Sequence, residues 1–235
     1  MESAPTGVWA VLVAAGRGER FGGPYPKAFA KLAGRPLLAE SVARLDESEW
    51  IEAIVIVAPD GWEEPVILLA EELGAGKVSA VVSGGETRVA SVRAGVAEVP
   101  EDAAVAAVHD AARPLLPPDV LDRVLGALDE GWDGVVPALP LRDTLKRAED
   151  GRVVETVARS GLYGVQTPQA FPTAVLRRAL AGDAEATDCA ALVEEAGGRV
   201  RVVEGDRRLE KVTAPADLAF LETLLRAETG GAGPA

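Results

Sequence analysis

Five basic residues fall within and just after a glycine-rich loop near the amino end of this 235-residue chain. Leu12 to Lys27 reads LVAAGRGERFGGPYPK, and from Gly16 to Arg35 the sequence sets Arg17, Arg20, Lys27, Lys31 and Arg35 against one acid, Glu19. The whole chain carries a net charge of −13, so this basic stretch runs against its surroundings. Small residues at Ala14, Ala15, Gly16 and Gly18 let backbone N–H groups come close to an anion or a base edge. Arg17, Arg20 and Lys27 add mobile positive charge around the same space. Such a loop suits a triphosphate that must be neutralised along its length; a solvated loop with a few cations is the plainer alternative.

Two familiar phosphate loops do not fit. A dinucleotide fingerprint needs GxGxxG at a strand–helix junction and an acid about 20 residues later. Here the glycines are Gly16, Gly18, Gly22 and Gly23, a long loop with Pro24 and Pro26 follows, and Asp60 comes too late. The Walker loop needs Ser or Thr after its lysine, whereas Lys27 precedes Ala28.

The segment VHDAARP, Val108 to Pro114, holds the only histidine. His109 beside Asp110 suggests a metal hydrolase, but no second His/Asp cluster supplies the other ligands, so His109 reads as structural. Asp110 is expected at the carboxyl end of a strand, where open α/β sheets bind ligands. Cys189 is the only cysteine. That excludes an internal disulfide and suits a small buried side chain in a reducing, cytoplasmic compartment.

These residues need a scaffold, and apolar runs alternate with helical periodicities through the first half. Strands are predicted at Val8–Ala14, Ala53–Ala58, Val78–Val82, Ala104–Val108 and Gly134–Ala138. Helices are predicted at Pro36–Leu45, Trp62–Leu73 and Asp119–Leu128, and Val89, Val92, Val96 and Val99 share one further helical face. This order gives an α/β fold, a Rossmann-like, mainly parallel twisted sheet with helices on both faces. From 140 to 164 the rhythm breaks into two short strand-like pieces around an Asp-Gly turn, a protruding β-arm. The arm has too little apolar surface for a core of its own, which makes a second copy of the chain a candidate to cover it. Helices are then expected at Pro172–Ala181, Ala186–Ala196 and Pro215–Arg226, and a strand at Arg199–Val203. The expected organisation is one domain over 1–228 with the arm at 140–164, followed by a disordered tail at 229–235.

Hydrophobic content of 48% supports a well-buried core. The acidic charge excludes broad nucleic-acid binding. Met1–Gly7 has no basic region of the secretory type, and no stretch reaches the ~18 apolar residues of a membrane span.

Five segments together carry a resemblance over nearly the whole chain: LVAAGRGERFGGPYPKAF, SGGETRVASVRAG (Ser83–Gly95), VHDAARP, LRDTLKRA with TVARSGLYGVQTPQAF (141–171), and ATDCAALVEEAG with EGDRRLEKVTAPADL (186–218). In order, they resemble the 2-C-methyl-D-erythritol 4-phosphate cytidylyltransferase family. The resemblance implies transfer of CMP from CTP to a polyol phosphate with Mg²⁺, in the non-mevalonate route to isoprenoid precursors, by a homodimer joined through its β-arms. It implies that Arg20, Lys27 and Lys211 are catalytic. Ala14, Ala15, Gly16, Gly18, Gly85, Glu86, Ser91 and Asp110 would bind the nucleotide, with Asp110 holding the metal. Arg113, Thr144, Arg159, Thr167, Thr187 and Asp188 would bind the acceptor. An enzyme acting on ribitol 5-phosphate would carry similar motifs, and a catalytically silent nucleotide binder is a more remote reading.

Overall fold

The computed structural model describes residues 7–16, 21, 25–182 and 184–230. The elements run β1 (Val8–Val13), β2 (Lys31–Leu32), β3 (Arg35–Pro36), α1 (Leu37–Asp46), β4 (Ala53–Ala58), α2 (Glu63–Leu73), β5 (Val78–Ser83), α3 (Arg88–Ala97), β6 (Val105–Asp110) and α4 (Pro118–Leu128). There follow β7 (Gly134–Pro140), β8 (Leu145–Glu149), β9 (Arg152–Val157), β10 (Tyr163–Val165), β11 (Gln169–Pro172), α5 (Thr173–Leu180), α6 (Cys189–Glu195), β12 (Val200–Glu204) and α7 (Pro215–Gly230).

Alternate residues of the central strands feed two cores. In β4, Ile54, Ile56 and Ala58 join Leu38, Val42 and Leu45 of α1 and Val120, Leu121 and Val124 of α4. Val55 and Val57 point the other way, to Val89, Val92 and Val96 of α3, Leu176 of α5 and Val193 of α6. A strand covered on both faces must be apolar throughout, which is why AIVIVA is so legible as a buried strand. Glycine allows one close fit here: a Cβ on Gly95 of α3 would lie 2.5 Å from a methyl of Val11 in β1.

The main sheet has the order β10-β7-β11-β6-β1-β4-β5, with β12 alongside β7. β6, β1, β4 and β5 are mutually parallel, and β12 is parallel to β7. Two strands interrupt this pattern: β11 runs antiparallel to both β6 and β7, and β10 antiparallel to β7. The sheet is therefore Rossmann-like and mainly parallel, as expected. The strand at Gln169–Pro172 is one that periodicity had not separated from the helix after it. A second correction concerns α6. Its expected start at Ala186 moves to Cys189, because Asp188 adopts an extended backbone and caps the helix with its side chain.

β8 and β9 pair only with each other, forming a two-stranded ribbon apart from the main sheet. Val153 and Val154 of β9 are exposed, as are Leu162, Tyr163 and Val165 where the chain returns. α7 packs Leu221 against Leu32, Leu37, Leu115 and Val212, binding the carboxyl end of the chain to the region after the glycine loop. Among the described residues, no helix is long and apolar enough to cross a membrane.

Candidate active site

Parallel strands end on one side of the sheet, and there β1, β5 and β6 release the segments carrying most of the chemistry. A pocket at this edge is lined by Ala14, Ala15, Gly16, Lys27, Gly85, Glu86, Arg88, Ser91, Asp110 and Lys211 among others. All of these except Arg88 were singled out from the sequence, and they meet in one cavity. Gly18 and Arg20 lie outside the described residues.

Two loops form its floor. β1 runs out through Ala14, whose N–H donates to the Val57 carbonyl at 2.9 Å. Opposite, Gly84 comes so close that a Cβ on it would stand 2.1 Å from the Ala15 Cβ and 3.2 Å from the Ala58 carbonyl oxygen. Only glycine permits that approach. The turn after Gly84 is tied by Ser91, whose hydroxyl accepts from the Gly85 N–H at 3.1 Å and donates to the Thr87 carbonyl at 2.9 Å. Ser91 therefore holds the turn that faces the pocket. Thr87 caps α3 through the Ala90 N–H and donates to Glu185 at 2.8 Å.

Lys27 opens a short 3-10 turn, Lys27–Phe29, and its ammonium donates to the Val212 carbonyl at 3.0 Å. Aromatic packing steadies this turn from outside. Trp62 meets Phe29 at 4.7 Å and Tyr25 at 6.0 Å between ring centroids, so residues on both sides of Lys27 rest on one indole.

Asp110 ends β6 and lines the pocket. One carboxylate oxygen pairs with the Lys211 ammonium at 2.6 Å and the other with Arg88 at 3.4 Å. Burial alone would raise its pKa, but the Lys211 and Arg88 charges outweigh that and hold it well below the usual carboxylate range. It is an ionised carboxylate at neutral pH. Arg88 was not singled out from the sequence. It follows Thr87 inside SGGETRVASVRAG, and nothing local marks it.

His109 behind this group is wholly buried, and burial lowers its pKa to about 4, so the ring is neutral. Nε2 lies 3.1 Å from the Arg113 carbonyl, which can only accept, and so carries the proton. Nδ1 then accepts from the Thr167 hydroxyl at 3.0 Å, and the same oxygen accepts the Asp110 N–H at 3.1 Å. His109 is thus enclosed and bonded through both ring nitrogens, and the Thr167 hydroxyl is engaged in the frame beneath Asp110. Arg113 turns its guanidinium to the Leu209 and Val165 carbonyls.

The remaining acceptor-side residues are dispersed. Asp188 accepts from the Ala191 N–H and from the Gln169 amide, each at 2.9 Å. Thr187 is exposed, as are Thr144 before β8 and Arg159 after β9. None of these four lines the pocket formed by this chain. Among the described residues, no group of three or more His, Cys, Asp and Glu side chains is placed to hold a metal.

Comparison with known proteins identifies the family. The family model for 2-C-methyl-D-erythritol 4-phosphate cytidylyltransferase (IspD) matches residues 8–227. The protein of that name from Frankia casuarinae is 47% identical over 220 residues, covering 93% of this chain and 81% of that protein. Its counterpart from Nocardia farcinica is 44% identical, covering 93% of this chain and 94% of its own length. Among solved structures, the 2-C-methyl-D-erythritol 4-phosphate cytidylyltransferase of Thermus thermophilus superposes with a TM-score of 0.77 at 35% identity, covering 92% of this chain and 98% of that one. A family match over residues 8–227, with relatives 47% and 44% identical over most of their length, places the chain in the 2-C-methyl-D-erythritol 4-phosphate cytidylyltransferase family.

Proposed function

We propose that the pocket at the ends of β1, β5 and β6 is where this enzyme transfers CMP from CTP to 2-C-methyl-D-erythritol 4-phosphate, releasing pyrophosphate. The observation that carries this reading is convergence. Lys27, Asp110 and Lys211 come from distant parts of the chain to one cavity beside two close-packed small-residue loops.

In the reaction a phosphate oxygen of the acceptor forms a bond to the α-phosphorus of CTP, and the bond to the β-phosphate oxygen breaks. A phosphate monoester is already largely ionised at pH 7, so no general base is required. What the protein must supply is alignment and stabilisation of negative charge on the α-phosphate and the departing pyrophosphate. Lys27 and Arg20 take that role, and Lys211 faces the acceptor's phosphate. The small residues at 14–16 and the Gly85 turn leave room for base, ribose and phosphates, with Glu86 at the rim.

Asp110 suits Mg²⁺, because an ionised carboxylate faces the pocket and the ion prefers to complete its shell with substrate phosphates and water. When bound, Mg²⁺ neutralises phosphate charge. Among the protein's groups, Asp110 would hold it, while Lys211 moves from Asp110 towards the substrate.

The acceptor side is read as shared between two copies. Thr144 and Arg159 are exposed near an arm with uncovered valines, and a second chain packed on that arm would bring them to a pocket. Arg113, Thr167, Thr187 and Asp188 would shape the acceptor side, mainly through the backbone and helix ends they hold. Residues 1–228 form one domain in this reading, acting in the cytoplasm, which the lone buried Cys189 suits.

The test is pyrophosphate release in the presence of CTP, Mg²⁺ and a panel of polyol phosphates. Release should require CTP together with 2-C-methyl-D-erythritol 4-phosphate. Turnover with ribitol 5-phosphate alone would overturn the acceptor, and CTP binding with no turnover on any acceptor would overturn the enzyme reading.

A further inference from the structure

Arg88 is placed against the usual electrostatics of a helix. It is the first residue of α3, after the Thr87 cap, where the helix dipole presents positive charge and a cation is unfavourable. Its side chain is nevertheless drawn inward and only 21% exposed. Helix stability does not account for that position, so its cause lies in what the guanidinium reaches.

It reaches two groups. One terminal nitrogen lies 3.4 Å from Asp110 Oδ1, the other 3.5 Å from Cys189 Sγ at the start of α6. The thiol is buried, and burial pushes its pKa up to about 11, so it is neutral and removes no charge from Arg88. Asp110 is the only carboxylate paired with Arg88 among the described residues. The sulfur therefore fixes the direction of the guanidinium plane, and the charge is delivered to Asp110. Lys211 holds the other oxygen from a more open position, with 38% of its side chain exposed. Both cations line the pocket, and Arg88 is the less exposed of the two.

We infer that Arg88 is a positioning residue for Asp110, holding Oδ1 from the α3–α6 side so that Oδ2 stays turned to the pocket when Lys211 moves to substrate. The inference rests on the reading of this pocket as the CTP site. Arg88 touches neither substrate nor reacting atoms in this role; it acts through Asp110. A planar fork with two fixed donors can hold the carboxylate and the sulfur together, whereas a lysine offers a single point charge.

A double-mutant cycle separates action through Asp110 from a purely structural role. CTP affinity in the presence of Mg²⁺ is measured by calorimetry, alongside turnover and the unfolding midpoint, for Arg88→Gln, Arg88→Lys, Asp110→Asn and the combination Arg88→Gln/Asp110→Asn. Arg88→Gln fills the site without charge and should weaken CTP binding by about tenfold, on the scale of a charge-assisted contact. Arg88→Lys should recover part of that loss. The combined variant should bind CTP no worse than Asp110→Asn, because Arg88 has nothing left to position. Additive losses in the combined variant, or unchanged affinity in folded Arg88→Gln, would overturn the inference. An Asp110→Asn protein that binds and turns over CTP normally would overturn the pocket reading, and the role of Arg88 with it.

Discussion

The proposed nucleotide side and the proposed acceptor side of this molecule are built on opposite plans. Around Asp110 the described polar groups are held by other parts of the same chain. Lys211 and Arg88 pair the carboxylate, Thr167 and His109 brace the strand beneath it, and Ser91 ties the glycine turn. Around the arm, Thr144 and Arg159 are exposed on either side of a ribbon that pairs only with itself and leaves Val153 and Val154 exposed. Among the described residues, the first arrangement is held together within one chain. The second makes physical sense only with something laid against it, since an isolated two-stranded hairpin is marginal in water. Binding CTP should then be a property of the single chain, and capture of the acceptor a property of the assembly.

The sharpest break is on the nucleotide side. Replacing Lys27 with Ala should lower kcat by roughly 10²-fold or more, the scale of losing one preorganised donor to a transition-state oxyanion. Steady-state kinetics on a variant with an unchanged unfolding midpoint checks this, and near-normal turnover would remove Lys27 from the chemistry. Arg20→Ala should behave alike.

The arm gives a smaller and different effect. Placing Asp at both Val153 and Val154 should shift the protein to monomer in sedimentation and lower kcat/KM for the acceptor by about tenfold, by removing alignment of one substrate. CTP affinity should not change. If it falls in step with acceptor use, the two sides are not separate and the comparison fails.

The smallest effect tests the frame. Thr167→Val strands a buried N–H at Asp110 and leaves Nδ1 of His109 without its donor, which should cost roughly 1–3 kcal/mol. Denaturant unfolding would register this as a lower midpoint at constant slope. An unchanged midpoint would mean that the hydroxyl is free for substrate.

How far the sequence reveals this design depends on the range of the forces involved. β1 and β4 are legible because two covered faces demand unbroken apolar runs. Lys27, Asp110 and Lys211 are legible as candidates because their motifs come in a familiar order, although no local pattern says that they meet. β11 is different. QAFP is short, polar at one end and closed by proline, and it is a strand because its residues pair with Val105–Val108 of β6. Arg88 is hidden for a similar reason. In the sequence it is an arginine at the start of a helix, and its significance comes from Asp110, 22 residues on, and Cys189, 101 residues on. A hydroxyl such as that of Thr167 can be located from sequence, but whether the protein itself has used it depends on neighbours 58 residues away.

The way the arm is attached bears on how such enzymes can change. Its two ends are clasped where Tyr163 pairs with Pro140 and Val165 with Ala138, so the ribbon leaves and rejoins the sheet at one point. Closing a longer loop from a fixed base adds little free energy, on the order of 0.6 kcal/mol for each doubling of length. The ribbon can therefore lengthen, shorten or be exchanged while the strands carrying Asp110 and Gly85 keep their register. If the arm joins two copies as proposed, a lineage could alter that pairing by editing a segment that leaves the strands of the proposed CTP pocket in place.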